Sequence, residues 1–250
     1  MNLKTLTDRT WILLKVSRFP AWVFGPILFS IGVIHSREIP RFKSFALLRA
    51  ILQIFALSIP LCIGMHDYLN YYLRCFYLQL LLYLLVVFGV NDVYDYESDR
   101  RNPRKNANNL EGGVLDPAHH SDVLNAAYLS TIFVIFSALV NRRRDNIIAA
   151  TLLVLLGWQY SSPPLRLKEV PVFDSLSNGV IVFLGWYCGF SFSGSSITNV
   201  PLSGIMLSLC TAGIHALGAV VDTESDIAAG QTTIATAFGK RGAAIFAASC

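Results

Sequence analysis

Acidic side chains in one segment of the chain have the spacing of ligands on a helix. The segment FGVNDVYDYESD carries Asn91, Asp95 and Asp99 at intervals of four residues, with Asp92 three residues before Asp95. On a helix these side chains share one face, where like charges repel each other unless a cation lies among them. Mg²⁺ suits such a set, because it binds a few carboxylates and completes its shell with water or phosphate oxygens. We therefore predict Mg²⁺ ligands at Asn91, Asp92, Asp95 and Asp99 rather than a solvated helix end of mixed charge.

A second acidic segment, DTESD, follows a later apolar stretch. Asp222 and Asp226 are again four residues apart, and Glu224 lies on another face of the same helix. Two metal ions held by two such segments across one cavity would neutralise a diphosphate and make it a better leaving group. The spacing predicts that Asp222 and Asp226 complete the metal site.

Basic residues suited to phosphate oxygens occur in two places in the sequence. Arg104 and Lys105 follow the first acidic segment, and Arg166 and Lys168 lie in the loop YSSPPLRLKEVPVFD. The last two residues can also be read as ordinary loop charges. Tyr160, at the start of that loop, either stabilises a carbocation with its ring or lies at the membrane interface.

His215 lies seven residues before Asp222 and can share its helix face. A packing or hydrogen-bonding role is the expectation for this histidine, with a catalytic role as the alternative.

The composition of the chain indicates the class of protein that holds these residues in place. Hydrophobic residues make up 54% of the 250 residues and charged residues 14%, against roughly 25% charged in soluble domains. Mean hydropathy is +0.51. These values argue against a disordered or a soluble globular protein and predict a multi-pass membrane protein in a lipid bilayer. The net charge of +4 is small and dispersed, so no nucleic-acid partner is expected. The five cysteines form no CxxC pair and are interpreted as apolar packing residues.

Seven apolar stretches are predicted spans. Their approximate bounds are Trp11–Ile34, Phe45–Met65, Tyr71–Val90, Val123–Val140, Ile147–Tyr160, Leu176–Phe192 and Pro201–Val221. An eighth stretch starts near Gly242 and reaches only Cys250, whereas a span needs about 20 residues. We interpret 1–250 as a single membrane domain whose C-terminal end is truncated, with an irregular C-terminal end as the alternative.

The number of spans between the polar loops predicts on which side of the membrane each loop lies. Two spans separate each polar loop from the next, so both acidic segments and the loop of residues 161–174 should lie on one side. Most of the loop cations are on that side, which favours the cytosolic face by the positive-inside rule. The stretch Phe45–Met65 leaves the side of the N-terminus open, because it could span fully or be re-entrant.

The quoted motifs resemble those of the UbiA family of intramembrane prenyltransferases. NDVYDYESD followed by RRNPRK, and DTESD followed by GQTTIATAFGKRGA, are similar to the two signature motifs of the family. The middle loop is similar as well, particularly to the branch of carotenoid (lycopene) elongases. The resemblance covers roughly Ser17 to the end. It implies an all-α, polytopic transmembrane helical bundle of nine helices around a central cavity, with the last helices missing here. It also implies Mg²⁺-dependent transfer of a prenyl chain from an allylic diphosphate to a lipophilic acceptor.

The resemblance also implies roles for residues at matching positions. It makes Arg18, in SRFP, a diphosphate-binding arginine and places Tyr160 and Ser161 near the reacting carbon. Arg18 is about one helix further from Asn91 than the family pattern suggests, because of the stretch Phe45–Met65. The predicted catalytic residues are Asp95, Asp99, Asp222, Asp226 and Tyr160. The predicted diphosphate-binding residues are Arg18, Arg104, Lys105, Arg166 and Lys168.

The predicted activity is a Mg²⁺-dependent prenyltransferase that ionises the diphosphate to an allylic cation. One alternative is a membrane terpene cyclase, in which the cation is attacked by its own chain. An ion carrier would instead need acids in the middle of its spans, and an inactive truncated paralogue is also compatible with the sequence. The cations are assigned to the diphosphate, which leaves none for an acceptor carboxylate. The predicted acceptor is therefore hydrophobic, a neutral polyene or lipid-like ring rather than a benzoate.

Overall fold

The computed structural model describes residues 3–18, 24–37, 46, 48–53, 85–101 and 114–250. Its α-helices are α1 (Leu3–Val16), α2 (Phe24–His35), α3 (Val90–Tyr94), α4 (Tyr96–Arg101), α5 (His120–Asn141), α6 (Arg144–Ser161), α7 (Phe173–Phe192), α8 (Leu202–Ala229) and α9 (Ile234–Ser249). Residues 48–53 are also helical. A π-helical turn precedes α3 at Leu85–Gly89, and short 3₁₀ turns lie at Pro117–His119, Leu167–Glu169 and Ile197–Asn199. No strand occurs in these ranges, and the predicted all-α fold is confirmed.

The first apolar stretch is two helices rather than one span. α1 ends at Val16, and Arg18 takes a left-handed conformation with φ of 54°. α2 then begins at Phe24. Pro20 supplies the sequence signal for this break, because proline ends helices in its vicinity. The predicted continuous segment Trp11–Ile34 is therefore wrong, and Arg18 lies at a helix end instead of inside a span.

The bundle is organised around α7, which packs against α2, α6 and α8. Small residues allow the backbones to approach closely: a methyl group on Gly189 would overlap the Phe29 carbonyl of α2, and one on Gly32 would overlap that of Trp186. α5 packs on α6, and α9 packs on α8. The buried apolar core includes Phe29, Leu153 and Trp186.

Three helices in the described residues are long and apolar enough to cross a membrane: Pro117–Asn141, Phe173–Phe192 and Leu202–Ala229. The last, α8, has 28 residues and a length of about 42 Å at ~1.5 Å per residue. As the spacing of Asp222 and Asp226 predicted, α8 continues beyond the apolar stretch through DTESD, and it ends before Gly230, whose φ is 72°. Most of the stretches Phe45–Met65 and Tyr71–Val90 lie outside the described residues.

The C-terminal helix α9 begins at Ile234, eight residues before the predicted start near Gly242. Thr233 caps it: its hydroxyl accepts from the Thr236 amide, and the Thr236 hydroxyl accepts from the Thr233 amide. Gly239, with φ of 73°, introduces a kink. The hydropathy pattern missed the first two turns because they contain Thr236, Lys240 and Arg241.

The polar loops meet at one end of the bundle. At that end, Lys168 contacts Asp95, and the side-chain amide of Gln231 donates to the Ser98 hydroxyl at 3.1 Å. The Asn141 amide donates to the Phe192 carbonyl at 3.3 Å where α5 and α7 end, at the other end of the bundle. The two ends agree with the predicted alternation of the spans.

We expect single cysteines at positions 97 and 232 to react with a membrane-impermeant maleimide from the same side of sealed vesicles. A cysteine at position 142 should react from the opposite side. All three positions are exposed, and the five native cysteines are first replaced by alanine. Labelling of positions 97 and 232 from opposite sides would contradict the arrangement of the helices.

Candidate functional site

The first acidic segment is a broken helix. α3 ends at Tyr94, Asp95 leaves helical geometry with φ of −98° and ψ of 2°, and α4 resumes at Tyr96. The side chains of Asp92, Asp95 and Asp99 are all buried. The Asn91 amide donates to Asp95 Oδ2 at 2.7 Å. The predicted ligands therefore lie on two short helices, with Asp95 at the break between them.

Cations from two other parts of the chain contact these carboxylates. The Lys168 ammonium contacts Asp95 Oδ2, and Arg166 Nη2 lies 3.7 Å from Asp95 Oδ1. Arg18 Nη2 lies 3.3 Å from Asp92 Oδ1, with its guanidinium 4.4 Å from the centre of the Phe88 ring. Buried charges need such partners, because desolvation of an isolated carboxylate is costly. Arg18, Arg166 and Lys168, which the sequence predicts to bind the diphosphate, thus form ion pairs with the first acidic segment.

The position of Lys168 depends on the loop between α6 and α7. Arg166 takes a left-handed conformation with φ of 39°, its Nη1 donates to the Tyr94 carbonyl at 3.3 Å, and it also contacts the Glu169 carboxylate. The 3₁₀ turn that follows directs Lys168 inward, and its side chain is only 9% exposed. This loop is therefore part of the site rather than a carrier of surface charge.

Burial lowers the pKa of the Lys168 ammonium to about 8. The nearby carboxylates of Glu169, Asp92 and Asp226 oppose this shift, and the Arg18 guanidinium adds to it. Acids of both segments, Asp92 and Asp226, and the Arg18 guanidinium thus act on the charge of Lys168.

The second acidic segment lies against the first. Asp226 is buried, accepts at Oδ2 from the Thr233 hydroxyl at 3.4 Å, and accepts at its carbonyl from the Gln231 amide at 2.8 Å. The Gln231 side chain contacts Ser98 of α4, whose hydroxyl donates to the Asp95 carbonyl at 2.9 Å. Gln231 therefore connects the end of α8 to the first acidic segment, a role that no sequence motif predicted.

Tyr160 belongs to a chain of hydrogen bonds between α6, α7 and α8. Its hydroxyl accepts from the Asn178 amide at 3.0 Å and lies 3.3 Å from His215 Nε2. His215 Nδ1 lies 3.3 Å from the Ser175 hydroxyl. The neighbouring Ser161 hydroxyl donates to Asn91 Oδ1 at 3.4 Å. The predicted hydrogen-bonding role of His215 is confirmed, with Tyr160 as one of its partners.

Asp174 is a buried acid that the sequence analysis did not single out. Its carboxylate accepts from the backbone amides of Ser175 and Ile234, each at 2.8 Å. It thereby fastens the start of α9 to the start of α7. Its position in the first turn of α7 could have indicated such a role, since acids favour helix N-termini.

We expect Asp174→Ala to destabilise the protein by about 1–3 kcal/mol, because it leaves a buried amide without a partner. The measurement is the thermal transition of the detergent-solubilised protein. Glu224→Ala is the matched control, since this α8 acid is 89% exposed and pairs with the exposed Lys240 at 3.1 Å. Equal stability of the two variants would contradict the fastening role of Asp174.

A pocket of about 240 Å³ opens beside Asp92. It lies between α1 and the segment before α5, and its lining comprises Ile12, Lys15, Val16, Asp92, Val114, Leu115, Asp116 and His119. Of the first acidic segment, Asp92 borders this pocket.

The donor set fits Mg²⁺ by its chemistry. The acids supply hard oxygen ligands, and positively charged groups already lie against Asp92 and Asp95. In the described ranges, however, no three His, Cys, Asp or Glu side chains converge as a ready metal site. The two predicted phosphate ligands Arg104 and Lys105 fall outside the described residues, so their roles stay predictions.

A comparison with family models matches residues 73–250 to the UbiA prenyltransferase family. A C(50) beta-cyclic carotenoids biosynthesis protein from Dietzia is 34% identical over 199 residues, covering 78% of this chain and 45% of the relative. A lycopene elongase/hydratase from Corynebacterium glutamicum is 36% identical over 169 residues, covering 66% of this chain and 57% of the relative. The chain thus spans about half the length of the curated relatives it matches.

The fold is similar to that of solved structures as well. A UbiA homolog from Archaeoglobus fulgidus bound to DMAPP and Mg²⁺ matches with a TM-score of 0.68 and 20% identity, over 92% of this chain and 70% of the other. The same homolog bound to GPP and Mg²⁺ also has a TM-score of 0.68, at 19% identity, over 95% and 73% of the two chains. At such identities the likeness shows a shared fold.

Proposed function

Because the chain belongs to the UbiA prenyltransferase family, we propose that it transfers a prenyl group from an allylic diphosphate to a hydrophobic acceptor. The observation that carries the proposal is the convergence of buried acids and cations at one end of the bundle. Asp92 and Asp95 contact Arg18, Arg166 and Lys168, which come from two distant parts of the chain. An ion carrier would need acids in the middle of its spans, whereas these lie where helices end.

Mg²⁺ is the proposed cofactor. Asn91, Asp92, Asp95 and Asp99 on one segment and Asp222 and Asp226 on α8 would hold it. When bound, Mg²⁺ neutralises charge on the diphosphate and makes it a better leaving group. The neighbouring Archaeoglobus structures, which contain Mg²⁺ with a prenyl diphosphate, support this assignment.

The basic residues would bind the diphosphate oxygens. Arg18 can make the paired hydrogen bonds that a guanidinium forms with phosphate, and Lys168 supplies a point charge from a rigid loop. Both are at present paired with the acids that would hold the metal. Arg166 holds the loop through the Tyr94 carbonyl and adds positive charge. Negative charge that develops as the C–O bond breaks is stabilised by these fixed groups.

The apolar bundle beneath the polar end would protect the allylic cation. Apolar walls of α7 and α8 delay its capture by water, and the ring of Tyr160 offers its face to positive charge. The polar end would face the cytosol, as the distribution of loop cations favours.

The proposed acceptor is an acyclic carotenoid such as lycopene. Two observations support this choice: the similarity to lycopene elongase/hydratases, and the pairing of Arg18, Arg166 and Lys168 with acids of the site. A carboxylate-bearing acceptor would need a further cation. A neutral polyene needs only an apolar surface and enters from the bilayer.

The test is an assay of membranes that contain the chain, incubated with Mg²⁺, dimethylallyl or geranyl diphosphate, lycopene and 4-hydroxybenzoate together. We expect mass spectrometry to detect prenylated lycopene and no prenylated acid. Exclusive prenylation of the acid would contradict the proposed carotenoid acceptor but would support the proposed prenyltransferase activity. Cyclic hydrocarbons formed without any acceptor would indicate a terpene cyclase, and no pyrophosphate release would contradict the proposed function.

A further inference from the structure

We propose that Tyr160 and His215 form a proton relay that ends the coupling reaction. The inference rests on the proposed prenyl transfer and concerns a step that the acidic segments do not perform. When an alkene of the acceptor attacks the allylic cation, a C–C bond forms and the positive charge moves to an acceptor carbon. A proton must then leave the carbon beside that charge, and its bonding electrons form a new C=C bond.

The position of the relay fits this step. His215 lies seven residues before Asp222 on α8. At ~1.5 Å per residue, it is about 10 Å further along the helix axis from the polar end. Tyr160 is adjacent to Ser161, which contacts Asn91 of the first acidic segment. The relay therefore lies just below the polar end, where the carbons attached to the diphosphate would be. Tyr160 and His215 are both half-buried.

The hydrogen bonds give the relay a direction. Asn178 can only donate through its amide nitrogen, so it occupies one acceptor position of the Tyr160 oxygen. The hydroxyl proton of Tyr160 is then available to His215 Nε2 at 3.3 Å. His215 Nδ1 in turn lies within reach of the Ser175 hydroxyl at 3.3 Å, which fixes the ring. We assign the tautomer in which Nδ1 carries the hydrogen and Nε2 is the acceptor.

The relay transfers one proton in two steps. The Tyr160 oxygen takes the proton from the acceptor carbon while its own hydroxyl proton passes to His215 Nε2. The ring becomes an imidazolium, the acceptor becomes a neutral alkene, and the imidazolium loses its proton to water once the product has left. The C–H bond that breaks supplies the electrons of the new double bond, and no oxidant or reductant is needed. Asp92 and Asp95, by contrast, are held by cations and are poorly placed to act as bases.

The experiment uses the full chain in membranes with dimethylallyl diphosphate, Mg²⁺ and lycopene. Pyrophosphate, the prenylated lycopene alkene and the prenylated lycopene alcohol are measured in the wild type, His215→Gln and Tyr160→Phe. General-base positioning contributes about 10²–10⁴-fold, so we expect the prenylated alkene per pyrophosphate to fall at least tenfold in both variants. The prenylated alcohol should rise, since water captures the coupled cation that is not deprotonated.

His35→Gln is the matched control. His35 is another helix-borne histidine, and its Nδ1 accepts from the Trp186 indole at 3.3 Å, away from the acidic segments. It should retain the wild-type ratio of prenylated alkene to pyrophosphate. A structural role for His215 predicts that alkene formation and pyrophosphate release fall together, with an unchanged ratio, and that result would overturn the relay.

Deuterated lycopene gives a second readout. With deuterium on the terminal methyl groups and adjacent carbons, His215→Gln should show a primary isotope effect on alkene formation that is larger than that of the wild type. An unchanged isotope effect in both His215→Gln and Tyr160→Phe would also overturn the relay. Absence of pyrophosphate release by the wild type would contradict the proposed function and the relay with it.

Discussion

Replacing Asp95 by asparagine should reduce Mg²⁺-dependent pyrophosphate release by about 10²–10³-fold, the size of loss seen when one preorganised charge-stabilising group is removed. The substitution keeps the shape of the side chain but removes the charge that Lys168 and Arg166 contact. It also removes a proposed metal ligand from the bend between α3 and α4. The measurement is pyrophosphate release at saturating Mg²⁺, compared at equal amounts of membrane-inserted protein.

Glu97→Gln is the control for that measurement. Glu97 lies two residues from Asp95, but its side chain is 64% exposed and pairs with Arg100 at 3.7 Å on the surface. It should retain wild-type activity, because an exposed pair contributes little. Wild-type release by Asp95→Asn would refute the role of the first acidic segment in binding the diphosphate through metal.

Removing the charge of Lys168 should weaken binding of the prenyl diphosphate. Lys168→Gln loses a charge-assisted contact that typically contributes about 1.5–3 kcal/mol, so we expect KM for the diphosphate to rise by about 10- to 100-fold. The loop should keep its shape, because Arg166 still contacts the Tyr94 carbonyl and Glu169.

Lys240→Gln provides the comparison for Lys168. This lysine on α9 is 54% exposed and pairs with Glu224, away from Asp95. It should leave KM unchanged. Equal KM values for Lys168→Gln and Lys240→Gln would mean that Lys168 serves only as a partner of Asp95.

The acidic segments were predictable because their chemistry repeats at helical spacing. Asp95 and Asp99, like Asp222 and Asp226, are four residues apart in the sequence, a spacing that places two side chains on one face of a continuous helix. The break in the helix at Asp95 was not predicted. Lys168 was predictable as a candidate because parity placed its loop on the same side. That it contacts Asp95 could not be read from the sequence, because this depends on the left-handed turn at Arg166.

The connections between elements were not predictable. The spacing of polar residues does not indicate the contacts of Asp174 and Gln231, because these depend on distant groups brought close by packing: the Ile234 amide for Asp174 and the Ser98 hydroxyl for Gln231. The break after α1 was missed because apolar residues continue on both sides of it. The start of α9 was missed because Thr236, Lys240 and Arg241 interrupt the apolar residues of its first turns.

The length of α8 has a consequence for how the two proposed substrates are supplied. Its 28 residues extend about 12 Å beyond a hydrocarbon layer of about 30 Å. The acids near its end can therefore meet a diphosphate dissolved in water, while the segment around His215 meets molecules dissolved in lipid. The rate would then depend on the concentration of the diphosphate in bulk water and on the mole fraction of the acceptor in the bilayer. Diluting vesicles with buffer would deplete only the diphosphate, whereas fusing them with acceptor-free lipid would lower the rate at a constant amount of acceptor.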